Sequence, residues 1–102
     1  MKHFLYNDIK NIKDNFPLLN WKFTEMIFKE NSTVILEATF NKLTLNFVYD
    51  IEDKVWKSLL YIGATDFLVI DVSEHLEEVL KYTKDLLSQI QNSLQGFLNV
   101  SN

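Results

Sequence analysis

The chain has no cysteine, no arginine, one proline and only two glycines among its 102 residues. Without cysteine there is no disulfide, no thiolate nucleophile and no cysteine-ligated zinc, a pattern that fits a reducing compartment. Without arginine there is no planar fork for bidentate contacts to phosphate or guanine, and all ten basic residues are lysine. A net charge of −4 and a pI near 5.0 weigh further against nucleic acid as a partner. Gly63 and Gly96 alone cannot build a glycine-rich phosphate cradle. The longest apolar run, Phe67 to Ile70, is far short of the ~20 residues that cross a bilayer. The N-terminal "MKHFLYNDIKN" lacks the apolar stretch of a secretory signal and carries Asp8. The expected location is cytoplasmic, with no membrane contact.

Hydrophobic residues make up 47% and aromatics 14%, which is ample for a packed interior. A chain of this length buries roughly 65% of its unfolded surface and forms one domain, 1–102. The charge is uneven along it. From Asp50 to Glu78, eight acids (Asp50, Glu52, Asp53, Asp66, Asp71, Glu74, Glu77, Glu78) meet only Lys54 and Lys57. That segment is either a solvated surface or a docking face for a basic partner.

Apolar periodicity sets out the elements. Leu5, Ile9, Ile12 and Phe16 form one helical stripe, and Pro17 ends it, giving a helix over 3–15. Trp21 to Lys29 reads as a strand followed by a turn at Asn31-Ser32. Val34 to Phe40 and Leu43 to Ile51 alternate well and fold back at Asn41-Lys42. That turn pairs Phe40 with Leu43, Ala38 with Leu45, Leu36 with Phe47 and Val34 with Tyr49, all on one core face. Asp53 to Gly63 alternates poorly and reads better as a short helix, capped by Asp53 and left through Gly63. Phe67 to Val72 is apolar on both faces, as an internal strand would be. Ser73 caps a long amphipathic helix with Glu74, Glu77 and Glu78 in its first turns and Gly96 at its end, on the order of 33 Å long.

The expected fold is α+β: an N-terminal helix, a three-stranded antiparallel meander, a short helix, one further strand and a long C-terminal helix packed on the sheet. The alternative is a five-strand meander between two helices. In element order the first arrangement resembles the secretion-chaperone type of fold, which is an analogy of topology and carries no function by itself.

No motif points to catalysis. His75-x-x-Glu78 with Glu74 supplies too few ligands for a specific metal site. No serine has the glycine context of a nucleophile elbow, and the turn acids imply no cleft between paired carboxyls. No cofactor is expected. The residues singled out for binding are Met26, Phe28, Ile35 and Val48, an apolar strip on the second face of the sheet, together with Asp50, Glu52, Asp53 and Asp66. In that reading Phe28 lies opposite Ile35 and Ile35 opposite Val48, covered either by the short helix or by another chain. The function expected is non-enzymatic binding of a basic protein, as inhibitors, immunity proteins, antitoxins and secretion chaperones do. A homodimer built through the C-terminal helix or the second sheet face is the alternative.

Overall fold

The computed structural model describes residues 2–28, 31–40, 42–63 and 65–100, with side chains outside that description at 2–5, 25–28, 31–32, 94 and 97–100. Its elements are α1 (Lys2–Asn15), β1 (Trp21–Phe28), β2 (Asn31–Phe40), β3 (Leu43–Asp50), β4 (Val55–Ile62), β5 (Asp66–Ser73) and α2 (Leu76–Val100). The strands form one antiparallel sheet in the order β1-β2-β3-β4-β5, with both helices on one side. The fold is α+β, in the five-strand form.

The short helix expected over Asp53 to Gly63 is therefore replaced by β4. The helical reading arose because Ser58 interrupts the apolar alternation. Yet Trp56, Ser58 and Leu60 all point inward and are buried. Thr83 Oγ1 lies 2.8 Å from Ser58 Oγ and 2.6 Å from the Val79 carbonyl oxygen. A carbonyl has no proton, so Thr83 donates to it and accepts from Ser58. That long-range contact makes a serine compatible with the core. The β3–β4 turn is held by Asp50, whose Oδ1 accepts from the backbone N–H of Glu52 (3.1 Å) and Asp53 (3.2 Å), while Lys54 takes the left-handed conformation (φ 56°). The likeness to secretion chaperones rested on the inserted helix and goes with it.

The β2–β3 register is the one the alternation predicts, with Leu36 opposite Phe47 and Ala38 opposite Leu45. Val34, Leu36, Ala38, Leu45 and Phe47 are buried, but Phe40 and Leu43 are exposed. Ile62, which pairs with Leu43, and Leu68 are exposed toward the same end of the sheet.

Two other expectations are corrected. Asn31 and Ser32 belong to β2, so Trp21 pairs with Ala38 and Phe23 with Leu36. Small Ala38 leaves room for the indole, which packs on Phe16 and Phe47 at centroid separations of 5.9 and 5.8 Å and donates Nε1–H to the Phe16 carbonyl. And β5 is an edge strand rather than an internal one. Its inward Ile70 is buried against the helix layer, while Phe67, Val69 and Val72 are exposed on the far side.

Ile12 of α1 and Leu76, Val79 and Leu80 of α2 complete the core. Ser73 lies before the cap position of α2, which His75 occupies with its carbonyl accepting from the Val79 N–H. The Ser73 hydroxyl accepts from His75 N–H and donates to Glu78. The helix does not end at Gly96 but runs to Val100. One glycine costs a helix only about 1 kcal/mol, and good helix formers surround it.

Candidate protein-binding surface

Strand alternation gives the sheet two faces, and the helices cover only one. Across the other, the register aligns Thr24, Ile35, Val48, Lys57 and Val72 in one row. The next row holds Lys22, Glu37, Asn46, Leu59 and Val69, and the third holds Thr39, Thr44, Tyr61 and Phe67. No helix lies over these rows among the described residues. Phe67, Val69 and Val72 are 55%, 48% and 49% exposed, and Ile35, Val48, Leu59 and Tyr61 are half-buried. Apolar side chains contiguous over four strands, exposed on β5 and half-buried on β2 to β4, mark a surface suited to another chain.

This patch differs from the strip read from sequence. Ile35 and Val48 are directly opposite each other, as expected, but Ile35 faces Thr24 on β1, not Phe28. The side chains of Met26 and Phe28 lie outside the described residues; their backbones pair with Thr33 and Asn31. The apolar surface instead extends toward β4 and β5 through Leu59, Val69, Val72 and Phe67. Reading β4 as a helix hid these residues. The alternation of Leu59 and Tyr61 with Trp56, Ser58 and Leu60 is the strand signal that the sequence carries here.

One polar group stands out on this face. Asn46, at the centre of the central strand, is 8% exposed, and its Oδ1 has no hydrogen-bond partner among the described residues. An enclosed acceptor without a donor costs about 1–3 kcal/mol. Asn46 lines a cleft of about 280 Å³ with Glu37, Thr44, Tyr61 and Gly63. Tyr61 stacks on Phe67 at 5.2 Å, and Thr44 Oγ1 lies 3.0 Å from Thr39 Oγ1 across the strands.

The acids gather at one end of the sheet. Tyr49 faces Trp56, and Trp56 faces Ser73, so the turn carrying Glu52 and Asp53 and the start of α2 carrying Glu74, Glu77 and Glu78 are neighbours. Asp8 of α1 joins them. Burial, and then the negative charge of Glu77, push its carboxyl pKa above the ordinary value. One of its oxygens, Oδ2, is fully enclosed and without a hydrogen-bond partner among the described residues, although the residue as a whole is only half-buried. Burial also raises the Tyr49 phenol pKa, with Asp8 and Asp50 adding to it. Asp50 spends one oxygen on its own turn, leaving Glu52 and Asp53 as the exposed acids there, with Lys54 beside them. Asp66 is exposed at the opposite end, paired with Ile62. The structure thus brings Asp50, Glu52 and Asp53 together and separates Asp66 from them.

A second groove lies between the helices, lined by Asn11, Asn15, Glu77, Leu80, Lys81, Lys84 and Asp85, with Lys84 Nζ 3.5 Å from Asn15 Oδ1. Among the described residues, no three histidine, cysteine or acidic side chains converge as metal ligands, and no helix is long and apolar enough to cross a membrane.

No known protein family, curated protein or solved structure matches this chain. Its surface chemistry is what bears on function.

Proposed function

We propose that this chain is a protein-binding module that acts by binding rather than catalysis, holding a basic protein against the open face of its sheet. The observation that supports this reading is the exposed apolar patch of Phe67, Val69 and Val72, continuous with Ile35, Val48 and Leu59, on the side of the sheet without helices. The acidic end beside it supplies long-range attraction for a positively charged partner, which raises the association rate more than the final affinity. Inhibitors, immunity proteins, antitoxins and delivery chaperones share this mode of action, and a cytoplasmic setting suits it.

The overhang of α2 favours a second reading, a homodimer. Twenty-five helical residues extend about 37 Å, whereas an eight-residue strand extends about 27 Å. About seven residues at the C-terminal end of α2 extend past the strand, and Gln95 and Gly96 among them are exposed.

Measuring the solution mass of the pure chain, and capturing partners from its native cells at low and high salt, separates the two. A monomer that retains a basic protein at low salt and releases it as salt rises is expected. Glu52→Lys with Asp53→Lys is expected to slow association several-fold without lowering the melting temperature, because exposed charges contribute little to stability. A dimer indifferent to salt, retaining no other protein, would overturn the first reading and leave the second.

A further inference from the structure

The open face carries one feature that apolar docking does not require. Asn46 occupies the centre of the sheet, where a β-branched residue packs best, and its enclosed Oδ1 lacks a donor. Beside it, directly across the β2–β3 pairing, stands the Glu37 carboxylate, which makes no ion pair among the described residues. Lys22 is opposite Glu37 on β1 yet does not close a salt bridge with it. Thr44 adds a hydroxyl oxygen and Tyr61 an aromatic ring, and Gly63, with a positive φ of 83° and no side chain, leaves the rim low. Every group in this cleft therefore offers negative charge, a lone pair or a π face. The complement is a donor-rich cation on an apolar stem.

We propose that the cleft formed by Glu37, Thr44, Asn46, Tyr61 and Gly63 receives the ammonium or guanidinium head of a lysine or arginine side chain from the protein partner. The carboxylate neutralises the charge, Asn46 Oδ1 and Thr44 Oγ1 accept its N–H groups, and the Tyr61 ring lies beside it for cation–π contact. The methylene stem lies along Leu59 and Val48, half-buried neighbours on the same face. A volume of about 280 Å³ holds one such head and its hydration, not a larger cofactor. This assignment rests on the reading of a basic protein partner, and it selects the point on the sheet where that partner is anchored.

The test uses Nα-acetyl-lysine methylamide and Nα-acetyl-arginine methylamide as probes, with the norleucine analogue as the uncharged control, titrated into the full chain and followed by NMR. The expected result is saturable shifts at the Asn46 side-chain amide and at the Thr44 and Gly63 backbone amides, produced by the charged probes and not by norleucine. Glu37→Gln should weaken binding about tenfold or more, the loss expected from one charge-assisted hydrogen bond. Lys22→Met, which removes the cation opposite Glu37 on β1, should strengthen it. Asn46→Val gives the sharpest readout: the melting temperature should rise as the partnerless acceptor disappears, while probe binding is lost. Shifts confined to the acidic end around Glu52 and Glu77, or binding unchanged in both Glu37→Gln and Asn46→Val, would overturn the proposal. Neither of those results touches the reading of a basic partner steered by the acidic end, which the salt-dependent capture tests separately.

Discussion

On the helix side of β3, Leu45 and Phe47 are buried beneath α1 and α2, while the residues alternating with them, Asn46 and Val48, face the side with no helix. The same backbone thus serves two environments. The contrast is clearest in the two buried polar residues of the central strands. Ser58 faces the helices and is bonded to Thr83 of α2. Asn46 faces away from them, and its Oδ1 has no hydrogen-bond partner among the described residues. A polar group that is buried and satisfied supports the fold, whereas one that is buried and unsatisfied weakens it and is available to a ligand. The helix side is therefore the stability face, and the open side carries the features suited to binding.

Placing one charge on each face tests this division most severely. Leu36 and Ile35 are neighbours in β2 that point to opposite sides, the first 1% exposed and the second half-buried. Leu36→Asp is expected to cost on the order of 5 kcal/mol, comparable with the whole stability of a small domain, and to unfold the chain. Ile35→Asp should cost only about 1–2 kcal/mol, leaving a folded chain that no longer holds the proposed basic partner. Circular dichroism melts of the two variants side by side measure the difference. Equal losses would mean that the open face is covered after all.

Phe47→Ala follows in size, at roughly 3–5 kcal/mol, because the ring is fully buried and touches both Phe16 and Trp21. Denaturant melts read it directly, and a loss below about 1 kcal/mol would place the core elsewhere. Thr83→Val keeps the shape but leaves Ser58 without its partner. A loss of about 1–3 kcal/mol is expected, and pairing it with Ser58→Ala should recover part of that loss, since both partners are then apolar.

The smallest effect lies at the acidic end. The folded-state pKa of Asp8 is raised by burial and by Glu77. A folded carboxyl with a raised pKa keeps its proton where the unfolded one releases it. Stability therefore falls as pH rises from the unfolded pKa through the folded one, and the cost persists above it. Asp8→Asn removes that cost, so its melting temperature at neutral pH should exceed that of the parent by roughly a few degrees or less. The gap between the two should close in acid. A variant less stable than the parent at neutral pH would show that the ionised carboxylate is favoured where it stands.

Where a single segment contained its own signal, the fold was legible in the chain. Leu5, Ile9, Ile12 and Phe16 state a helix, and Pro17 ends it. The alternation through β2 and β3 puts Leu36 and Phe47 on one face, and the two-residue connection between Phe40 and Leu43 sets them opposite each other. The acids of α2 and of the β3–β4 turn were equally visible, as was the membership of Ile35 and Val48 in the second face. The rest depended on partners distant in sequence. Whether Val55–Ile62 forms a strand turns on Ser58, whose burial is acceptable only because Thr83 arrives 25 residues later. The β1–β2 register turns on Trp21 finding Phe16 and Phe47 across a gap left by Ala38. Asn46 looked like an ordinary outward polar residue, and only the neighbouring strands enclose it. Local periodicity determines which residues share a face, because it is a property of one backbone segment. What covers that face, and which polar groups remain without partners beneath it, is decided by the packing of segments that no local pattern relates.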